Sequence, residues 1–533
     1  MIAKQLIEPK SIVVVGGSDD IHKPGGTVLR NLQDGNFKGS LYVVNPKMDE
    51  VQGIKAYRDV KDLPEVDCAI LAIAAKFCPS TVEVLAKQKN TKAFIILSAG
   101  FHEENEEGAK LERQIVETIN SVGGSLIGPN CIGVLTNHYS GVFTSPIPEL
   151  NPQGVDLISG SGATALFIMD SGMQKGIKFN SMYSVGNSAQ LGVEEILEYM
   201  DESFDPKTSS RVKLLYVESI EKPEKLLKHA SSLIRKGCRI AAVKSGGSAA
   251  GSRAASSHTG ALASSDVAVE ALFRKAGIVR CNGRDELMTV AGIFMHPEMK
   301  GRNMAVVPHA GGPAVMLTDA LSNGGMDVPH IEGEKAQELL GKLFAGSSVG
   351  NPIDFLATGT AEQLGYILDA CDRDFDNIDG MAVIFGSPGL FPVFDVYNVL
   401  DEKMKTSKKP IFPIFPSSKI VKDEIAEFVS KGRVYFPDEV LFGNALCKIY
   451  KTPAPQPEHF EMPDMDVKKI REVVDNAQNG YLSPDEIHAL LDAAGVARAK
   501  EGVSDNEEEI VKMAKEIGFP LVMKVVGPIH KSD

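Results

Sequence analysis

Short runs of β-branched residues that end in glycine or serine, each followed by a stretch of helical periodicity, recur along most of this chain. SIVVVGG at 11–17, SLYVVNP at 40–46, CAILAIAA at 68–75, AFIILSAGF at 93–101 and SLIGPN at 125–130 are separated by stretches such as HEENEEGAKLERQIVETINSVGG. A run that is apolar at every position belongs to a strand covered on both faces, and such strands are characteristic of parallel sheets flanked by helices. Residues 1–135 therefore predict a Rossmann-like α/β domain. The same construction returns over 150–298, in VDLISGSGA, FNSMYSVGN, VKLLYVES and RIAAVKSGG, and over 299–450, in NMAVVPHAGG, MAVIFGSPG and KPIFPIFPSS. Residues 451–466 switch to proline and acid without periodicity and read as a linker. Residues 467–533 then predict two helices, in LSPDEIHALLDAAGV and EEEIVKMAKEIG, and an apolar strand, FPLVMKVV. These read as the opening of a larger domain whose remainder is absent.

With 533 residues and 43% hydrophobic content, the chain is long enough for several cores. Its 56 Lys and Arg against 70 Asp and Glu give a net charge of −14, which argues against nucleic acid or an anionic membrane as the principal partner. An anionic ligand must then be held locally, by backbone amides and a few placed cations. The N-terminal segment lacks a signal-peptide pattern and no long apolar span occurs, so the expectation is a cytoplasmic protein. The seven cysteines never form a CxxC pair, so neither a zinc site nor a disulfide framework is expected. Cys131, in the loop IGPNCIG, is kept as a candidate reactive thiol beside the plainer reading of a packing residue.

In open α/β sheets the ligand crevice lies beyond the carboxyl ends of the strands, so the loops after strands are where chemistry is read. After the first strand comes GGSDDIHKPGG, with Gly16, Gly17, Ser18, Lys23 and Gly25, followed by a helix start suited to a phosphate. The spacing is not GxGxxG, and the second strand ends in Asn45, Pro46 and Lys47 where a dinucleotide site would want an acid. Lys47 favours an extra phosphate over a free ribose and opposes a nicotinamide-dependent oxidoreductase. The turns SGSGA at 159–163 and HAGGPA at 309–314 also open helices, and Ser161 with its neighbouring amides suits an anion.

SSHTGALASSD, from Ser256 to Asp266, places His258 in a loop of small residues. Such a loop can present one side chain in more than one place. No second His or Cys stands at ligand spacing, which leaves metal ligation unsupported. A neutral imidazole is a nucleophile near cellular pH, and backbone amides at a helix start would suit a phosphoryl group carried on it. Composition does not choose among an exposed bystander, a general base and a covalent nucleophile.

SHTGALASSD closely resembles the SHTGALAGSD signature of the NDP-forming acyl-CoA synthetases, which include ADP-forming acetate-CoA ligase and are related to the succinyl-CoA synthetase α subunit. PKSIVVVGGS, VVNPK, SAGF, IGPNC, SVGN with EEILEY, VKSG, AGGPA, NPID and FPLVMKVVGPIHKSD extend the resemblance over nearly the whole chain. It implies an α/β chain with an N-terminal Rossmann-like CoA-binding domain, two flavodoxin-like domains of the succinyl-CoA synthetase type and the start of an ATP-grasp domain. It implies an acid-thiol ligase acting on a small carboxylic acid such as acetate with CoA and ATP, giving acyl-CoA, ADP and phosphate by way of an acyl phosphate, with magnesium accompanying the nucleotide.

In that resemblance His258 is the phosphohistidine, and Glu195, after SVGN, orients it. Gly16, Gly17, Ser18, Lys23, Gly25 and Lys47 hold the nucleotide end of CoA. Ser98 and Asn130 flank the pantetheine, while Ser161 and Gly162 hold the transferring phosphate. Lys524 contacts nucleotide phosphates, and His530 is a second phosphoryl carrier. Assembly as a homo-oligomer, or with a partner supplying the rest of the ATP-grasp domain, is expected. Gly160, Gln190 and Gly247 depart from the family's usual glutamine, aspartate and arginine, which leaves the detail of phosphate and acyl recognition open. A non-catalytic CoA-binding or CoA-sensing protein of the same fold is the alternative.

Overall fold

The computed structural model describes residues 2–35, 37–259, 265–387, 389, 392–457 and 464–524; over 255–259 the description is of the backbone alone. Met1–Gln456 form one compact unit and Pro457–Asp533 another. No helix among the described residues is long and apolar enough to cross a membrane.

The first unit carries three sheets. The strands of the first are β1 (Ser11–Val15), β2 (Ser40–Val44), β3 (Glu50–Val51), β4 (Ile54–Tyr57), β5 (Cys68–Leu71), β6 (Ala93–Ile96) and β7 (Ser125–Ile127), in the order β3-β4-β2-β1-β5-β6-β7. All pairs are parallel except the β3–β4 hairpin. The second sheet contains β8 (Gly133–Leu135), β9 (Ser140–Val142), β10 (Leu150–Ser159), β11 (Phe179–Ser184), β12 (Val212–Val217), β13 (Arg239–Lys244) and β14 (Val279–Cys281), in the order β14-β13-β12-β10-β11-β8-β9. Its four pairings among β10 to β14 are parallel, and the β8–β9 hairpin adds an antiparallel edge to β11. The third sheet is β15 (Met304–Pro308), β16 (Gly380–Ile384) and β17 (Ile411–Ile414), parallel and in sequence order.

The all-apolar runs are explained by what covers each sheet. Along β10, Leu157 belongs to the core shared with Val306, Ala382 and Phe412 of the third sheet, whereas the next residue, Ile158, belongs to the core shared with Ile12 and Ile70 of the first. Leu214 and Leu215 of β12 divide in the same way. Successive side chains on a strand point to opposite faces, so a sheet buried on both faces must be apolar at every position. Each such side chain contributes about 1.5–3 kcal/mol on burial. The exception is Lys213, fully buried on β12, whose ammonium donates to Asp156 at 2.5 Å and to the Ser210 carbonyl at 2.7 Å.

Three expectations meet corrections. The β8–β9 hairpin, whose first strand falls within the expected first domain of 1–135, is the edge of the second sheet; its three-residue strands contain Gly133 and Gly141 and are too short for a periodic signal. The segment expected as a loop before His258 is a helix, Ala249–Thr259. Ser248 accepts from the Gly251 amide at 3.0 Å, and a capping serine followed by Ala249, Ala250, Ala254 and Ala255 favours helix over loop. In the second unit the helices Val467–Asn476, Pro484–Ala493 and Glu507–Ile517 form, but Phe519–Lys524, expected to enter a strand, have none; 525–533 lie outside the described residues. A strand needs a neighbour for its amides and carbonyls, and the described residues of this unit include no other strand.

Candidate functional site

Both seven-stranded sheets reverse their winding direction, the first between β1 and β5 and the second between β10 and β12. At such a switch point the flanking loops diverge and leave a crevice beyond the carboxyl ends.

At the first switch point the loop after β1 is closed by glycines. Gly16 adopts φ +87°, and a Cβ there would stand 2.5 Å from the Ala72 carbonyl oxygen. A Cβ on Gly25 would collide with the Gly16 carbonyl, and one on Gly17 with Val43. The loop therefore folds onto its own backbone, which only glycine permits. The Ser18 carbonyl accepts from Gln52 at 2.7 Å, and its hydroxyl accepts from the Asp20 amide at 3.1 Å. Asn45, where a dinucleotide site would carry an acid, donates to the Gly17 carbonyl at 2.8 Å and accepts from the Lys47 amide at 2.9 Å. It is spent on shaping the turn. Lys23 and Lys47 are exposed, and Lys23 has only a loose pairing with Asp20 at 3.7 Å. The exposed cations beside the helix Pro24–Asp34 fit phosphate oxygens.

At the second switch point Ser161 caps the helix Gly162–Gln174, its hydroxyl accepting from the Thr164 amide at 3.4 Å. The amides of the first helical turn and the positive end of the helix dipole face a cavity of about 560 Å³. The cavity is bounded by Ser161 and Gly162 after β10, Val185–Ala189 after β11, Glu218 after β12, and Leu97, His102 and Asn130 from the first sheet's carboxyl edge. It thus spans two sheets within one unit.

The acids around this cavity are mostly engaged. Glu103 accepts from Asn187 and, at 2.7 and 3.3 Å, from the Gly100 and Phe101 amides. Burial works to raise its pKa, but these donors prevail and hold it below the ordinary carboxylate range. Glu112 accepts from His102 Nδ1 at 2.7 and 2.9 Å and from Asn187 at 3.2 Å. Glu194, itself buried, accepts from the Glu221 and Lys222 amides at 2.9 and 3.1 Å. Cys131 also lines the cavity, but burial pushes its thiol up to about 12, so the candidate reactive thiol stays protonated and unreactive at neutral pH.

The structure brings Asn130, Ser161 and Gly162 together on this cavity, whereas Gly16, Gly17, Ser18, Lys23, Gly25 and Lys47 cluster at the first switch point. Ser98 donates its hydroxyl to the Ile73 carbonyl and accepts the Asn130 amide on its own carbonyl at 2.9 Å, between the two groups. Glu195 does not line this cavity. It accepts from the Gly192 amide at 3.0 Å to cap its own helix and pairs with Lys222 at 2.8 Å and Lys225 at 3.1 Å. Burial works to raise its pKa, and the lysines and the amide hold it low. Its neighbour Glu194 takes the cavity position, together with Glu218. Glu218 directly follows the apolar run VKLLYV, so a search of residues just after each strand would have found it. His258 stands in the last turn of a helix that leaves the second sheet's carboxyl edge after β13; its side chain lies outside the described residues. Lys524 is exposed, and His530 lies outside the described residues.

Comparison with known proteins decides what this arrangement is related to. Residues 10–137 match the family described as CoA binding domain, 152–294 the succinyl-CoA ligase like flavodoxin domain, and 473–533 the ATP-grasp domain. The acetate–CoA ligase (ADP-forming) I of Archaeoglobus fulgidus is 32% identical over 99% of this chain and 76% of its own length. The chain belongs to the ADP-forming acyl-CoA ligase family. Another member, the 4-hydroxybutyrate–CoA ligase (ADP-forming) of Nitrosopumilus maritimus, is 30% identical over 100% of the chain and 77% of its own length. Among solved structures, the acetyl-coenzyme A synthetase 1 of Candidatus Korarchaeum cryptofilum, in complex with phosphate and ADP, matches with TM-score 0.75 and 27% identity, covering 84% of this chain and 96% of that one. The resemblance carried by SHTGALASSD and its companion motifs is borne out. The ligase family's α/β architecture, CoA-binding part first, accommodates both switch points described above.

Proposed function

We propose that this ligase joins CoA to a small carboxylic acid, acetate or a close relative, coupling the thioester to ATP cleavage into ADP and phosphate through a histidine-borne phosphoryl group. The observation that carries the reading is the Ser161-capped helix start, which opens onto the cavity at the same carboxyl edge from which the helix bearing His258 departs. Residues 1–135 form the CoA-binding domain, 150–298 and 299–450 the two ligase domains, 451–466 the linker and 467–533 the ATP-grasp segment.

In the thioester-cleaving direction, a phosphate oxygen attacks the acyl carbon and the thiolate of CoA leaves. An imidazole nitrogen of His258 then attacks phosphorus, and the bond from phosphorus to the acyl oxygen breaks, releasing the carboxylate. A terminal phosphate oxygen of ADP takes the phosphoryl group as the P–N bond breaks. The protein's task in such transfers is positioning and charge neutralisation. Ser161 and the amides of Gly162 and Ala163 hold the phosphate, Lys23 and Lys47 the phosphates of CoA, and Asn130 the segment leading to the thiol. Lys524 and His530 serve the nucleotide side, and magnesium, arriving with the nucleotide, supplies further charge neutralisation.

The test follows free thiol released from acetyl-CoA and labelled phosphate retained on the protein. The expected result is phosphate-dependent thiol release with acid-labile, base-stable label. Binding of CoA without either signal would overturn the reading in favour of a CoA-sensing protein.

A further inference from the structure

One part of the cavity wall has no task in this route. The charged side chains among the cavity's described lining residues are five glutamates, Glu103, Glu112, Glu194, Glu218 and Glu221, and a single cation-forming group, His102. A site that takes a carboxylic acid must place a negative charge somewhere among these groups, and repulsion at short range in a partly dry cavity is costly. Resting on the function just proposed, we infer that His102, held by Glu112, receives the carboxylate of the acid substrate and restricts the ligase to monocarboxylic acids.

The hydrogen-bond geometry gives this role a definite form. His102 Nδ1 lies 2.7 and 2.9 Å from the two oxygens of Glu112, so Nδ1 carries a hydrogen. Nε2 makes no hydrogen bond among the described residues, and the side chain is 31% exposed. In neutral imidazole Nε2 is then an acceptor, which repels a carboxylate; in imidazolium it is a donor, which binds one. Acid binding therefore requires the protonated ring. Glu112 raises the His102 pKa above the ordinary histidine value against the opposing effect of burial, and Glu103 adds to the rise. Asn187 fixes the assembly by donating to both Glu112 and Glu103, and accepts from Asn130 at 3.4 Å. The other carboxylates facing the cavity, Glu194, Glu218 and Glu221, oppose any further negative charge, and the Cys131 thiol, raised by burial, stays neutral. A dicarboxylate would bring its second charge among them without a second cation among the described lining residues.

The full chain, labelled with ¹³C at histidine Cε1, tests this by NMR, with the His102→Gln difference identifying the resonance. Acetate is expected to raise the His102 pKa, because by linkage a ligand that needs the proton also tightens it, whereas succinate has at least about tenfold weaker effect. Above the His102 pKa, acetate affinity is expected to fall about tenfold per pH unit. In His102→Gln that limb disappears and affinity at low pH drops about tenfold or more, while His102→Lys restores affinity without the limb. A His102 resonance that acetate leaves unmoved, equal response to succinate, or an unchanged pH limb in His102→Gln would each overturn the assignment. Thiol release and phosphate labelling test the parent reading separately. Labelling with an unmoved His102 defeats only this inference; an acetate-dependent His102 with no labelling defeats the phosphoryl route and upholds the acid site.

Discussion

The first two sheets are built alike, seven strands with a parallel centre and a reversal of winding, yet their carboxyl edges carry opposite chemistry. The first presents exposed Lys23 and Lys47 beside a glycine turn that folds onto itself. The second presents a serine-capped helix start with Glu194, Glu218 and Glu221 on a recessed cavity, whose opposite wall, with His102, Glu103 and Glu112, comes from the first sheet's segments. The scaffold supplies a crevice in both cases; what fills the loops decides whether it grips a charged handle or shelters a reacting group. An anion at the first edge is attracted by exposed cations, and one at the second must find the few donors among carboxylates. The two edges should respond differently to the same kinds of perturbation.

The largest effect is expected at Gly25. In Gly25→Val the new side chain meets the Gly16 carbonyl, so the turn must open, costing about 1–3 kcal/mol of stability. CoA affinity, followed by calorimetry beside thermal unfolding, should fall at least about a hundredfold, since the backbone that frames the phosphates is displaced. Wild-type affinity in this variant would mean that the glycine turn does not frame the ligand.

At the second edge, Ser161→Ala removes a helix cap worth about 1 kcal/mol and, on the proposed route, a donor to the phosphate. Labelling from acyl-CoA and phosphate should slow by about 10- to 100-fold, with CoA affinity changed less than about threefold. The split between the two readouts is what separates the edges; a parallel loss in both would merge them.

Smaller effects belong to single surface charges. Lys23→Ala and Lys47→Ala should each weaken CoA binding by about 5- to 10-fold, nearly additively, and the loss should shrink in high salt because exposed cations are screened. Loss of thiol release without loss of binding would contradict their assignment to CoA.

The smallest effect is expected at Glu195. Glu195→Gln keeps an acceptor for the Gly192 amide but removes the charge paired with Lys222 and Lys225, costing about 1 kcal/mol of stability or less, and should change labelling less than about threefold. Its folded pKa is held low, so its stabilisation is present above the ordinary carboxylate value and is lost as pH falls through the lowered one. The variant's stability should be less sensitive to acid over that interval. A large loss of labelling would return Glu195 to the reacting centre.

Much of this architecture was legible because burial on both faces of a parallel sheet leaves a signal in every strand: SIVVV, CAIL, LLYV and AVVP needed no partner to be recognised. The β8–β9 hairpin escaped because strands of three residues carry no period. The His258 segment misled because small residues serve loops and helices alike, and Ser248 decides for the helix only through its bond to Gly251. Of the candidates that line the cavity, Ser161 could be read from its own small-residue turn, whereas Asn130 came only with the resemblance of IGPNC. The His102, Glu112 and Asn187 cluster could not, because its members lie on separate segments, and Asn187 joins the others only across the seam between two sheets. Glu194 rather than Glu195 lines the cavity, a difference of helix face between adjacent glutamates that composition cannot tell apart.

The most direct measurement is phosphopeptide mapping of the full chain after incubation with acetyl-CoA, labelled phosphate and magnesium, run beside His258→Asn. The expected result is label on the peptide containing His258 and none at that peptide in the variant. Equal labelling of the variant, or label confined to a different residue, would contradict a phosphoryl group carried by that imidazole.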